Sequence, residues 1–205
     1  MAEVLGVGIS HWPRLRETDE TFPMRLRAVL KDPALPESAR DPSNWPEQMR
    51  QEWSSDEGLA AAKAHRADLL VGLRRVRAAI DDFKPDVLVM WGDDQYENFQ
   101  EDAVPPFCVL GYEGPVAQNI GNAPNPWNEP GDTTFSVRTE PQIARALAAG
   151  LIESSFDVAY AYKPLHYPGL SHAFFNAVLY LDYDRTGFPY PLIPFTVNCY
   201  GSHVI

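Results

Sequence analysis

Four apolar runs, residues 4–9, 87–91, 156–162 and 192–197, each end in a polar or histidine-bearing turn. Runs this short read as strands buried on both faces. In an open α/β sheet, ligands bind in the crevice beyond the carboxyl ends of the strands. The first run opens into Ser10-His11-Trp12-Pro13, and the second into Gly92-Asp93-Asp94-Gln95-Tyr96. A histidine and a carboxylate/amide cluster thus stand where such a sheet keeps its chemistry, and the chain reads as an enzyme with a polar, metal-holding site.

Between the first two runs, residues 14–53 are expected to be irregular, with Pro33, Pro36, Pro42 and Pro46 and the tryptophans Trp45 and Trp53. So long a segment suits a lid or a surface wrap. A helix is expected over about 56–83, because Leu69, Leu73, Val76, Ile80 and Phe83 recur at spacings of three and four. Ser55 begins it, and Lys84-Pro85-Asp86 ends it and opens the second strand. Strand, helix and buried strand in that order imply a right-handed parallel crossover. Residues 100–139 read mostly as loop, with a short strand over 107–110 and a Pro/Asn-rich turn over 122–128. Thr139 caps a helix from Glu140 to Gly150, the third strand follows, and a helix runs from His172 to about Tyr180. The expected fold is a single α/β domain with a mostly parallel central sheet, helices on both faces, and long irregular loops.

At 205 residues, 45% of them hydrophobic and 22% charged, the chain suits one domain with one sizeable core. A net charge of −11 argues against tracking a phosphate backbone, which needs clustered Lys and Arg. The one such cluster, Arg74, Arg75 and Arg77, reads as a solvated helix face. No run approaches the roughly 18 apolar residues of a membrane helix, and the N-terminus lacks a signal-peptide layout. Cys108 and Cys199 form no disulfide framework, so a reducing cytoplasm is expected.

Four of the five histidines (His11, His65, His166, His172, His203) fall at or just beyond expected strand ends, and His65 lies on the apolar face of the long helix. Imidazoles converging on one sheet edge suit a first-row transition metal or acid–base work near neutral pH. Asp93-Asp94-Gln95 has two readings. It is either a strand-end turn whose Asp caps backbone amides, or a carboxylate and amide aimed at a cation.

Four blocks carry a resemblance. They are Gly-Ile-Ser-His-Trp-Pro (8–13); Asp94-Gln95-Tyr96-Glu97-Asn98-Phe99, continuing through Ala103-Val104-Pro105-Pro106-Phe107-Cys108; Leu170-Ser171-His172-Ala173-Phe174; and Ile193-Pro194-Phe195-Thr196-Val197-Asn198. In this order they resemble class III extradiol ring-cleavage dioxygenases, the catalytic subunits of the protocatechuate 4,5-dioxygenase type. The resemblance implies an Fe(II) enzyme that opens catechol- or aminophenol-type rings with O₂ at a 2-His-1-carboxylate site. It implies His11 as an iron ligand and His172 as the acid/base, with His166 the substitute for that role. Where the family carries its second ligand histidine this chain has Gln95, so Gln95, Asp93, Asp94 or His65 is expected to complete the metal set. Aromatic loops bearing Trp12, Trp45, Trp53, Tyr96 and Trp127 would wall a flat substrate or belong to the core.

The family's ligand Glu lies in a further half of the fold. The chain is therefore expected to lack that half and to work as a homo- or hetero-oligomer. Two alternatives stand beside the enzyme: a catalytically degenerate subunit or phenolic-ligand-binding protein of the same fold, and a metal-dependent hydrolase using the same sheet edge.

Overall fold

The computed structural model describes residues 2–199, so His203 lies outside the described residues. Its sheet comprises β1 (Leu88–Asp94), β2 (Phe107–Leu110), β5 (Ala159–Ala161) and β6 (Leu192–Asn198), ordered β1-β6-β2-β5. β1 runs parallel to β6 from Leu88↔Leu192 to Asp94↔Asn198, and β2 runs parallel to β5; only β2 and β6 are antiparallel. A separate hairpin of β3 (Val116–Asn119) and β4 (Thr134–Val137) lies within the stretch expected to be loop. Val-Ala-Gln-Asn carries little β-propensity, and cross-strand pairing supplies what the sequence lacks.

Period-2 alternation sorts the sheet's side chains between two helical layers. Cys108, Leu110 and Leu192 pack with Phe174 and Val178 of the helix α6 (His172–Leu181). Val109 and Ile193 face the other way, onto Ala144 and Ala148 of α5 (Pro141–Glu153). The long helix α4 (Leu59–Phe83) covers α6, its Leu73 packing on Phe175 and Leu179. The chain is thus a single α/β domain with a mostly parallel sheet flanked by helices. Among the described residues no helix is long and apolar enough to cross a membrane.

Two expectations about the strands are corrected. Residues 4–9 form no strand: they carry no ladder, and Val4 is 89% exposed. Gly6 and Gly8 have nothing within 4 Å of where a Cβ would stand, so this stretch contributes backbone freedom and little packing. The expected strand–helix–strand crossover is therefore absent. Residues 3–9 instead form one wall of an apolar groove of about 540 Å³ against residues 87–91 and Ile80. Nor is the 87–91 run buried on both faces. Trp91 is 68% exposed, because α5 lies over β2 and β6 and leaves the outer face of β1 open.

The segment 14–53 folds into short pieces: 3-10 turns at Pro13–Arg16 and Pro42–Asn44, and helices α1 (Met24–Val29), α2 (Glu37–Arg40) and α3 (Glu47–Trp53). α4 begins later than expected. Gly58 adopts φ +86°, and Asp56, not Ser55, accepts from the Ala60 and Gly58 amides at 2.8 and 3.1 Å. Thr139 does not cap α5; its hydroxyl donates to the carbonyls of Tyr112 and Gly114, both at 2.8 Å, and ties down that loop. α5 also runs past Gly150 to Glu153.

Candidate metal centre

Three elements converge at the carboxyl end of β1. The N-terminal segment delivers His11, β1 delivers Asp93, and the first residue of α6 is His172. One ligand atom from each of these side chains lies within 4.8 Å of the other two. His11 Nε2 stands 3.2 Å from Asp93 Oδ1, and the two imidazole rings meet edge-on with centroids 5.1 Å apart. Asp93 Oδ1 is buried without a hydrogen bond, although it is within ion-pair distance of His11. Leaving a buried carboxylate oxygen in that state is costly, and a cation relieves it. Two imidazoles and one carboxylate are also the donor types of non-haem iron sites. The residues present therefore fit a divalent first-row metal.

The turn after β1 is stitched to the turn before α6, and this holds the donors together. Ser171 Oγ donates to the Asp93 carbonyl at 2.8 Å. Asn98 accepts from the Ser171 amide and donates to the Gly169 carbonyl, both at 3.0 Å. Glu97 grips His172 twice, through the backbone amide at 2.9 Å and through Nδ1 at 2.7 Å. On the other side, Asn176 Nδ2 donates to the His11 carbonyl at 3.1 Å and Tyr180 Oη to that of Trp12 at 2.6 Å.

The expected donors separate here. His11 and His172 come together, but the carboxylate beside them is Asp93. Asp94 is fully buried and accepts from the backbone amides of Glu97, Asn98 and Phe99 at 2.8–3.3 Å, so it caps the turn as the structural reading of this motif had it. Burial nevertheless outweighs those bonds and raises its pKa, with the Glu97 carboxylate adding to the rise. Gln95 lies beside the cluster, its Nε2 donating to Asp93 Oδ2 at 2.7 Å. Cys199 Sγ approaches the same oxygen at 3.6 Å, and its thiol is raised by burial and by Asp93. Buried Cys108 is pushed up to about 12 by desolvation and belongs to the core.

The remaining candidates lie elsewhere. His166 is exposed and pairs with Asp102 at 3.0 Å. His65 is also exposed, not on the apolar face, and its ring lies 6.4 and 6.2 Å from those of Trp12 and Phe22. Trp12 packs edge-on against Phe22 at 4.8 Å. Tyr96 takes a left-handed φ of +63° in the turn after β1. Trp45 and Trp53 meet edge-on with centroids 5.6 Å apart, and Trp127 packs on Arg185 and Tyr183, so these three are structural. Glu97 had no expected role, since nothing in sequence spacing links it to His172, 75 residues away.

In sequence the chain is similar to curated ring-cleavage dioxygenases. Over 145 residues the chain is 29% identical to the 2,3-dihydroxyphenylpropionate/2,3-dihydroxicinnamic acid 1,2-dioxygenase of Comamonas testosteroni, covering 71% of this chain and 38% of that protein. It is 30% identical over 128 residues to enzyme 2 of that name from Pseudomonas putida, covering 62% and 35%. The Rhodococcus jostii enzyme is 29% identical over 131 residues, covering 64% and 36%. The chain thus spans little more than a third of the length of these curated relatives. No protein-family model matches it.

Proposed function

We propose that this chain is a class III extradiol dioxygenase-like protein that holds Fe(II) through His11, Asp93 and His172 and opens a catechol-type ring with O₂. The convergence of two imidazoles and one carboxylate within 4.8 Å carries this reading, and the dioxygenase relatives support it. When bound, the iron supplies a Lewis-acid and redox centre with open positions for catechol and O₂. His11 and Asp93 come from different elements, so the centre assembles only in the folded chain. Glu97, accepting from His172 Nδ1–H, leaves the lone pair on Nε2. Gln95 holds the Asp93 oxygen that does not face His11.

That Nε2 lone pair also favours a second assignment of one residue, with His172 as the acid/base that takes the catechol proton. Anaerobic Fe(II) titration, then O₂ uptake and the yellow ring-fission product on a small catechol panel, tests the whole reading. His11→Ala and Asp93→Ala should each abolish iron binding with the fold intact. Iron retained at the wild-type level in both removes the site. His172→Phe decides the assignment: a ligand variant loses iron, whereas an acid/base variant keeps it and loses on the order of 10² to 10⁴ in turnover.

A further inference from the structure

Two backbone edges lie open on either side of the apolar groove between residues 3–9 and β1. β1 is the last strand of its sheet, and among the described residues no strand pairs with its outer edge. The Leu88 amide donates toward β6, to the Pro191 carbonyl at 2.9 Å. Successive residues alternate in a parallel ladder, so the N–H and C=O groups of Val89 and Trp91 face the groove. The opposite wall, residues 4–9, carries no ladder either. The floor is helical: Val76, Ile80 and Phe83 of α4, with Leu181 of α6. Two extended walls, a helical floor and an apolar lining define the place of one absent strand in an α/β sheet.

The chain itself carries a segment that fits this place. In an extended run, Leu5, Val7 and Ile9 fall on one face and Gly6 and Gly8 on the other. The apolar face suits the helical floor, and Val4, Leu5 and Val7 are exposed in the single chain. Neither residues 4–9 nor β1 holds the lysine or proline with which natural edge strands repel other chains. Symmetry then closes the arrangement. Both walls run toward the candidate centre, since His11 follows one and Asp93 lies near the end of the other. A second copy's segment, related by a two-fold axis normal to the sheet, enters antiparallel to both walls. The same axis keeps its Leu5, Val7 and Ile9 on the helical side. By the same operation the first copy's segment fills the groove of the second.

We infer that two copies of this chain exchange residues 4–9, each segment lying as a strand between residues 4–9 and β1 of the other copy, so that the two sheets become one. The interface is isologous, the commonest form of a homodimer. The groups of Val89 and Trp91 on the open edge gain backbone partners, as when any extended segment adds a strand to a sheet. Leu5 and Val7 leave water for the floor made by α4. Because the segment leads to His11, the pairing also fixes one donor of the candidate centre. The open edge, the groove and the unpaired apolar run carry the dimer without the dioxygenase reading.

Sedimentation velocity on the full chain at tens of micromolar should give a dimer. Val7→Lys charges the exchanged segment and Val89→Lys the edge that receives it, and both positions are exposed in the single chain. Each variant should sediment as a monomer with the wild-type circular dichroism. Hydrogen exchange supplies the readout that another interface would not move. The amides of residues 5–9 and those of Val89 and Trp91 should be protected in the wild type and exposed in both variants. A monomeric wild type overturns the inference and leaves the groove to a strand of a different polypeptide. A dimer that persists in both variants, or one whose residues 5–9 exchange freely, overturns it as well. If the variants do not fold, exchange of the wild type at two concentrations decides alone. Protection at Val89 and Trp91 that rises with concentration sustains the exchanged dimer, and protection independent of concentration overturns it.

Discussion

Asp93 offers its two carboxylate oxygens to different partners: Oδ1 faces His11 Nε2 at 3.2 Å without a hydrogen bond, and Oδ2 accepts from Gln95 Nε2 at 2.7 Å. The glutamine therefore orients the carboxylate. Removing a partner of this kind costs roughly 10- to 100-fold in metal affinity. Gln95→Ala should weaken Co(II) binding, used as a spectroscopic probe, at the lower end of that range. Gln95→His should bind Co(II) no more tightly than wild type. A gain in the histidine variant would make position 95 a ligand position and sink the orienting role.

Glu97→Gln tests the grip on His172 by reversing one hydrogen bond. The glutamine oxygen can still accept from the His172 backbone amide, as Glu97 Oε1 does at 2.9 Å. Its NH₂ group then faces Nδ1, where the ionised glutamate only accepts. The ring proton should move to Nε2, and a nitrogen carrying a proton neither ligates a metal nor takes a proton. Histidine ¹⁵N shifts in the metal-free protein read the tautomer directly. Co(II) affinity should fall about 10- to 100-fold. A variant that keeps the wild-type tautomer would show that Glu97 does not set it.

Strand ends and histidines were legible in the sequence because β1, β6 and α6 follow simple periodicities and their boundaries carry polar turns. The fold class came from that signal, while the roles expected of His11 and His172 came from the family resemblance of the blocks that carry them. The choice of carboxylate came from neither. Asp93 and Asp94 are neighbours, and only the pleat decides which one faces His11 and which one turns to cap the amides of 97–99. The 4–9 run misled because apolar content alone resembles a strand, while Gly6 and Gly8 leave it little to pack with. Glu97 was invisible for a different reason. Its role rests on a contact to α6, 75 residues away, and no local pattern encodes it.

Arg74 and Asp184 tie α4 to the loop after α6 by a bidentate pair at 2.7 and 2.8 Å. The Arg74 hydrogen bonds hold the Asp184 carboxyl below its ordinary value, against a smaller upward push from burial. A carboxyl whose folded-state pKa is depressed stabilises above its unfolded pKa, and that contribution disappears as pH falls through the folded value. Both side chains are about half exposed, so screening limits the contribution to at most about 1 kcal/mol. Arg74→Ala should cost that or less in urea unfolding at neutral pH and nothing at pH well below the aspartate range. A cost independent of pH would assign the loss to packing of the arginine stem.

Gly92 couples the core to the metal centre, because it precedes Asp93 where β1 lies directly against Ala173 and Phe174 of α6. A Cβ at this position would lie 2.8 Å from Phe174 Cε1 and 3.1 Å from Ala173 Cβ, both on fully buried residues with no room to withdraw. Gly92→Ala must therefore push β1 away from α6. Overpacking of this kind costs about 1–3 kcal/mol, measurable as a lower urea midpoint. The displacement falls next to the Asp93 carbonyl that accepts from Ser171 Oγ, so the strand end and the helix start separate. Co(II) affinity should fall together with stability, although no donor has changed. The decisive comparison is Gly92→Ala combined with Phe174→Leu, which removes ring atoms nearest the new methyl. That double variant should regain metal affinity even if its core is looser. Full wild-type affinity in Gly92→Ala alone would show that the spacing of β1 from α6 does not govern the centre.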